Sequence, residues 1–70
     1  MDRAKAQSCY RAAAEHGHAQ ARLMLGRYLA RGAAGERNPS EARIWLERAI
    51  AQGVDEAGSE LAELAVPAAS

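Results

Sequence analysis

Reactive side chains are few in this chain, and two of them flank a glycine: His16-Gly17-His18, with Cys9 two helical turns earlier. Histidine and cysteine are zinc ligands, but a structural zinc site takes four and this set offers three. A His-Gly-His turn also directs its rings apart more readily than together. A histidine at the C-terminal end of a helix is stabilised by the helix dipole without any metal, which is the role expected here. Cys9 as a nucleophile would need a base in reach and a lowered pKa. A small core residue is the plainer expectation, since free cysteine is among the most buried residue types. The stretch Gly32-Ala33-Ala34-Gly35 lacks the Gly-Lys-Ser/Thr ending of a phosphate loop and reads as a connector. Tyr10, Tyr28 and Trp45 fall on helical stripes, as core aromatics do. No combination of acid, base and nucleophile emerges, so the expectation is a protein that is not an enzyme and has no cofactor and no metal.

Charge and composition narrow the partners. The 70 residues carry zero net charge, whereas a general nucleic-acid binder needs surplus Lys and Arg to displace counterions. Met1-Asp2-Arg3 leads into no apolar run of a secretory signal, and no stretch reaches the ~20 apolar residues of a membrane span. One cysteine forms no internal disulfide and suits a reducing compartment. The expectations are a cytoplasmic location, a protein or peptide partner, no nucleic acid and no membrane. Charge is unevenly placed. Residues 1–37 hold Arg3, Lys5, Arg11, Arg22, Arg27, Arg31 and Arg37 against Asp2, Glu15 and Glu36, a net +4. Residues 38–70 hold Arg43 and Arg48 against Glu41, Glu47, Asp55, Glu56, Glu60 and Glu63, a net −4. Two readings stand: solvated faces with some bridges between halves, each worth little, or steering of a partner or of another copy of the chain.

The elements that would position these groups are helices. Seventy residues make at most one domain, or a piece of a larger one, and bury only about 60% of the unfolded surface. Much of the apolar content is alanine, so the large core candidates are limited to Tyr10, Leu23, Leu25, Tyr28, Leu29, Ile44, Trp45, Leu46, Ile50, Leu61 and Leu64. Ala, Leu, Glu, Arg and Gln favour helix. Shifted by 36 positions, the chain falls on itself: Ala6 on Ala42, Ala13 on Ala49, Gly17 on Gly53, Ala21 on Ala57 and Leu25 on Leu61. Tyr10 meets Leu46, Ala14 meets Ile50, Gly26 meets Ala62 and Tyr28 meets Leu64 in the same frame. Such self-similarity marks a repeat architecture.

Each copy holds two helices. In the second copy Asn38-Pro39-Ser40-Glu41 supplies an N-cap, a proline at the first helical position and a glutamate able to bond back to the cap. Ala42, Trp45, Leu46, Ala49 and Ile50 follow at helical spacing as its inward face, and Gly53 ends the helix at positive φ. Asp55 and Glu56 open the next helix at the positive end of its dipole. Ala57, Leu61, Leu64 and Ala65 form its stripe, and Pro67 stops it. In the first copy a helix over 3–16 turns Ala6, Tyr10, Ala13 and Ala14 inward. Gly17 makes the turn, and a helix over 19–31 turns in Ala21, Leu25, Tyr28 and Leu29. Short turns imply antiparallel pairs. The predicted fold class is all-α, a short α-solenoid of two helix-turn-helix repeats made of four antiparallel helices. Its divisions are a first repeat with connecting loop over 1–37, a second over 38–66 and a frayed tail over 67–70.

This pattern resembles the Sel-1-like repeats, relatives of the tetratricopeptide repeat. Their unit is similar to A-x-x-W-Y-x-x-A-A-x-x-G-x-x-x-A-x-x-x-L-G-x-x-Y followed by a Gly-rich loop. The matching residues are Ala6, Tyr10, Ala13, Ala14, Gly17, Ala21, Leu25, Gly26, Tyr28 and Gly32, then Ala42, Trp45, Ala49, Gly53, Ala57 and Leu61. Cys9 stands at the tryptophan position, Asn38 at that of a loop Asp and Ala34 at that of a loop Gly. The resemblance implies an adaptor or scaffold that holds ligands on the inner helical face. Off the core stripe, Gln7, Ser8 and Arg11 and their counterparts Arg43, Ile44 and Glu47 are the candidate ligand-binding residues. Ile44 points opposite Ala42, Leu46 and Ala49 on the helical wheel. The alternative reading is a fragment or capping segment of a longer solenoid with no independent activity. The two ends of a two-copy solenoid also suggest head-to-tail self-association.

Overall fold

The computed structural model describes residues 3–33, 35 and 37–65. They form four helices and no strand: α1 Arg3–Glu15, α2 Ala19–Arg31, α3 Pro39–Ala51 and α4 Glu56–Ala65. The stop at Pro67, the tail over 67–70, Ala34, Glu36, Met1 and Asp2 lie outside the described residues, as do the side chains of Arg3 and Ala65.

The turns repeat bond for bond. Gly17 has φ +92° and Gly53 φ +97°, the left-handed region that glycine reaches without a Cβ penalty. His18 N–H donates to Ala13 O at 3.1 Å and Gly17 N–H to Ala14 O at 3.0 Å. One repeat later Val54 N–H donates to Ala49 O at 3.0 Å and Gly53 N–H to Ile50 O at 2.8 Å. This is the paired closure that satisfies the last carbonyls of a helix. It tucks Val54 into the core, which the periodicity had not suggested.

At the start of α3, Asn38 Oδ1 accepts from Glu41 N–H at 3.2 Å, and Pro39 holds the first turn. The expected bond from Glu41 back to the cap's own N–H is replaced. That N–H donates to Leu29 O at 2.8 Å, and Glu41 instead accepts from Asn38 Nδ2 at 3.3 Å. The cap therefore ties α3 to the end of α2 as well as closing its own helix.

Helix α2 is the hub: it packs on α1, α3 and α4, and its contact with α3 is the most extensive in the fold. Three neighbours bury more than one stripe of it, so Leu23, Gly26 and Ala30 join the expected Ala21, Leu25 and Leu29. Tyr28 is half-buried, with its ring edge-on to Tyr10 at 5.3 Å between centroids. One core cluster gathers Ala14, Leu25, Leu29, Ala42 and Trp45, and a second gathers Leu23, Leu46, Ala49, Val54 and Ala57. Trp45 is largely buried, as its place on the stripe predicts.

Two expectations fail. Ile50, placed on the inward face, is 40% exposed, and Cys9, expected in the core, is exposed. Both lie on surfaces that a neighbouring repeat covers elsewhere in the chain. Ala14, the counterpart of Ile50, is fully buried beneath the following helices, and Trp45, the counterpart of Cys9, is buried against the preceding ones. Among the described residues no repeat covers the side of α3 that carries Ile50 or the side of α1 that carries Cys9.

Candidate functional site

The first and third helices carry the six candidate residues, and the fold divides them. Arg11 is half-buried and turned into the contact between the two repeats, where its guanidinium forms a two-pronged bond to Glu41, with Nη1 on Oε2 and Nη2 on Oε1 at 3.2 Å. Trp45 Nε1 donates to the same carboxylate at 3.3 Å. The hydrogen bonds from Arg11 hold the Glu41 carboxyl below its ordinary pKa, against a smaller opposing effect of burial, and Glu41 in turn raises Arg11. Arg11 is thus a clasp between repeats.

Gln7 is half-buried, while Ser8, Arg43, Ile44 and Glu47 are exposed. Arg43 Nε donates to Glu47 at 3.3 Å, one turn along α3, an exposed pair of a kind worth a few tenths of a kcal/mol, ~0.3–0.5. Ile44 is 48% exposed and belongs to neither core cluster. Beside it, Arg43 and Glu47 line a groove of about 590 Å³ whose apolar wall is Leu61, Ala62 and Leu64 of α4. Apolar periodicity does not mark this groove, although the 36-residue frame carries a signal: Leu61 and Ala62 repeat Leu25 and Gly26, which α3 covers.

The +4/−4 charge separation is largely consumed inside the molecule. Arg27 Nε donates to Glu60 at 2.9 Å, and Arg31 Nη2 reaches both Glu60 oxygens at 3.2 Å. Arg27 also meets Glu56 at 3.4 Å, and Arg31 meets Glu63 at 3.9 Å. With Arg11–Glu41, these bridges join basic groups of the first half to acidic groups of the second. Glu60 is only 6% exposed, a buried carboxylate that the apolar stripe of α4 does not mark because its partners lie on another helix. A polar belt links the turns too: Gln52 Nε2 donates to Gly17 O at 2.7 Å, Arg22 Nη1 to Gln52 Oε1 at 2.8 Å and Arg22 Nε to Ala14 O at 3.0 Å.

His16 Nδ1 lies 2.8 Å from Ala12 O, a contact with the final turn of α1 of the kind expected of a helix-end histidine. Among the described residues no group of three or more His, Cys, Asp or Glu could hold a metal ion, and no helix is long and apolar enough to cross a membrane.

Paired antiparallel helices, identical glycine turns and a side-by-side stack define the class: an all-helical repeat protein of the α-solenoid type. The sequence model of one family, the Sel1 repeat, matches residues 2–18 and 19–54, more than half of the chain. The chain belongs to the Sel1 repeat family. The second matched stretch pairs α2 with α3, a different phase of the same period, since a repeat has no natural first residue. No curated protein and no solved structure matches the chain. Sel1 repeats generally mediate protein–protein interaction.

Proposed function

We propose that this chain is a cytoplasmic adaptor or scaffold module that holds a partner protein or peptide on the face formed by α1 and α3, and that it has no catalytic activity of its own. Ile44 carries the reading. It is the most exposed large apolar side chain among the described residues, it serves neither core cluster, and a charged pair and Ser40 surround it. A lone apolar residue on a surface is ordinary; this one sits beside a groove whose far wall is apolar. Gln7, Ser8, Arg43 and Glu47 extend the contact with polar groups, and Arg11 stiffens the face by tying α1 to α3. The non-catalytic part of the proposal draws on the family, whose repeats are interaction modules.

The test is a photo-crosslinking amino acid at position 44, with position 59 on α4 as control, in lysate of the native host. A discrete adduct at position 44 that is lost when excess unlabelled protein competes, and is not competed by Ile44→Asp protein, supports the reading. Equal labelling from both positions rejects it. The Ile44→Asp protein should melt at almost the parent temperature, because the side chain lies outside the core.

A second reading, a segment or cap of a longer solenoid, draws on the half-covered outer sides of α1 and α4. Repeats encoded next to this stretch in its gene would favour it.

A further inference from the structure

The 36-residue correspondence lets one half of the molecule show what the other half is missing. Ala42, Leu46 and Ala49 of α3 are fully buried because α2 packs on one side of them and α4 on the other. Their counterparts on α1, Ala6, Tyr10 and Ala13, are only half-buried. At the opposite end the relation is inverted. Leu25 and Gly26 are buried under α3, whereas Leu61 is half-buried and Ala62 exposed. Ala14 is fully buried and its counterpart Ile50 is 40% exposed. One end of the stack therefore presents the uncovered half of an α3-type helix, and the other presents the uncovered seat for one.

We propose that this chain binds a second copy of itself head to tail, the second copy's α1 lying over the end of α3 and α4 as α3 lies over α1 and α2 within one chain. The junction shares Glu47 and the groove with the proposed ligand face but leaves out Ile44. Ile44 corresponds to Ser8, which stays exposed even with a repeat stacked after it, so Ile44 remains open in the assembly.

Side-chain chemistry carries through the correspondence with compensating changes. Within one chain Arg11 meets Glu41. Moved on by one repeat, that pair becomes Glu47 with the second copy's Lys5, opposite charges again but with the signs exchanged. Within one chain the large Trp45 shares a cluster with the small Ala14. Across the junction the sizes exchange, the second copy's Cys9 lying toward Ile50. Leu46 against Gly26 becomes the second copy's Tyr10 against Ala62. Both residues there are larger, so the second helix rides further out, and the groove of about 590 Å³ along Leu61 and Ala62 is the room it has for the ring. Apolar burial supplies the affinity and the Lys5–Glu47 pair sets the register. The contact joins two different surfaces, so it leaves a free end on every copy and propagates without closing.

Sedimentation velocity of the intact chain from micromolar to millimolar concentration tests this. The weight-average coefficient should keep rising past that of a dimer, and rise less at high salt, where charges further apart than ~10 Å are screened already at 0.1 M. Lys5→Glu or Glu47→Lys alone should weaken association about tenfold, by turning attraction into repulsion. An equal mixture of the two should recover it, because every junction then joins opposite charges again. Ile50→Asp should leave monomers with the parent's helical circular dichroism and melting temperature, whereas Ile44→Asp should assemble like the parent. A chain that stays monomeric at every concentration overturns the proposal, as does a dimer that saturates and ignores both charge reversals, or a mixture no better than either variant alone.

Discussion

Gly26 of α2 lies directly against Leu46 of α3: a Cβ built on the glycine would fall 2.6 Å from both Cγ and Cδ2 of the leucine. Leu46 is fully buried and has no room to retreat. In an unconstrained helix interior, replacing glycine by alanine gains about 1 kcal/mol. Here the overlap outweighs that gain, and Gly26→Ala should lose about 1–3 kcal/mol, the usual result of forcing a methyl group into a packed core. Urea unfolding measures it. An increase in stability would mean that the two helices stand further apart than described.

Trp45 closes the first core cluster and is 7% exposed, with the guanidinium carbons of Arg48 at 5.1 Å and Arg22 at 5.9 Å from its ring centroid. Removing a large core aromatic costs about 3–5 kcal/mol, a large part of the stability of a domain this small. Trp45→Ala should therefore unfold or melt far below the parent, as followed by circular dichroism. A shift of only a few degrees would show that the ring is not the centre of the packing.

Acid should loosen the junction between repeats. Arg11 keeps the Glu41 carboxyl below its ordinary value of 4.5 in the folded state. A lowered folded-state pKa contributes stability that is complete above the unfolded value and lost as pH falls through the folded one. The melting temperature should thus drop below the ordinary carboxylate range. Glu41→Gln should be less stable than the parent at neutral pH and show a shallower loss in acid. Parallel acid profiles for the two proteins would remove Glu41 from the account.

Glu60 and its arginines should respond unequally to substitution. The Glu60 side chain is 8% exposed, against 30% for Arg27 and 60% for Arg31. Removing the carboxylate leaves two cations in reach of water, whereas removing the cations strands a buried charge. Glu60→Met should cost less than about 1 kcal/mol, and Arg27→Met with Arg31→Met about 2–3 kcal/mol, within the range for an uncompensated buried carboxylate. Thermal melts of the three proteins at neutral pH decide it. A reversed order would show that Glu60 reaches water after all.

Much of the fold is written in local chemistry that the sequence carries alone. The 36-residue frame, the glycines at positive φ, the Asn38-Pro39 start of α3 and the burial of Leu25, Trp45 and Leu46 follow from spacing and backbone preference. Apart from the frame, which compares positions 36 apart, each depends on residues within a few positions of one another. The exposure of Ser8, Arg43, Ile44 and Glu47 was legible for the same reason, since each lies off its helix's apolar stripe. Tertiary structure decided everything that depends on how many neighbours a helix has. Leu23 is buried because α2 has three neighbours, Glu60 because two arginines on α2 meet it, and Arg11 is drawn out of the candidate face because Glu41 arrives from α3. Ile50 and Cys9 have the right period for the core and are exposed all the same. Periodicity states which side of a helix is apolar; whether anything covers that side is set by the repeat's place in the stack, and among the described residues α1 has no repeat packed before it and α3 none packed after it.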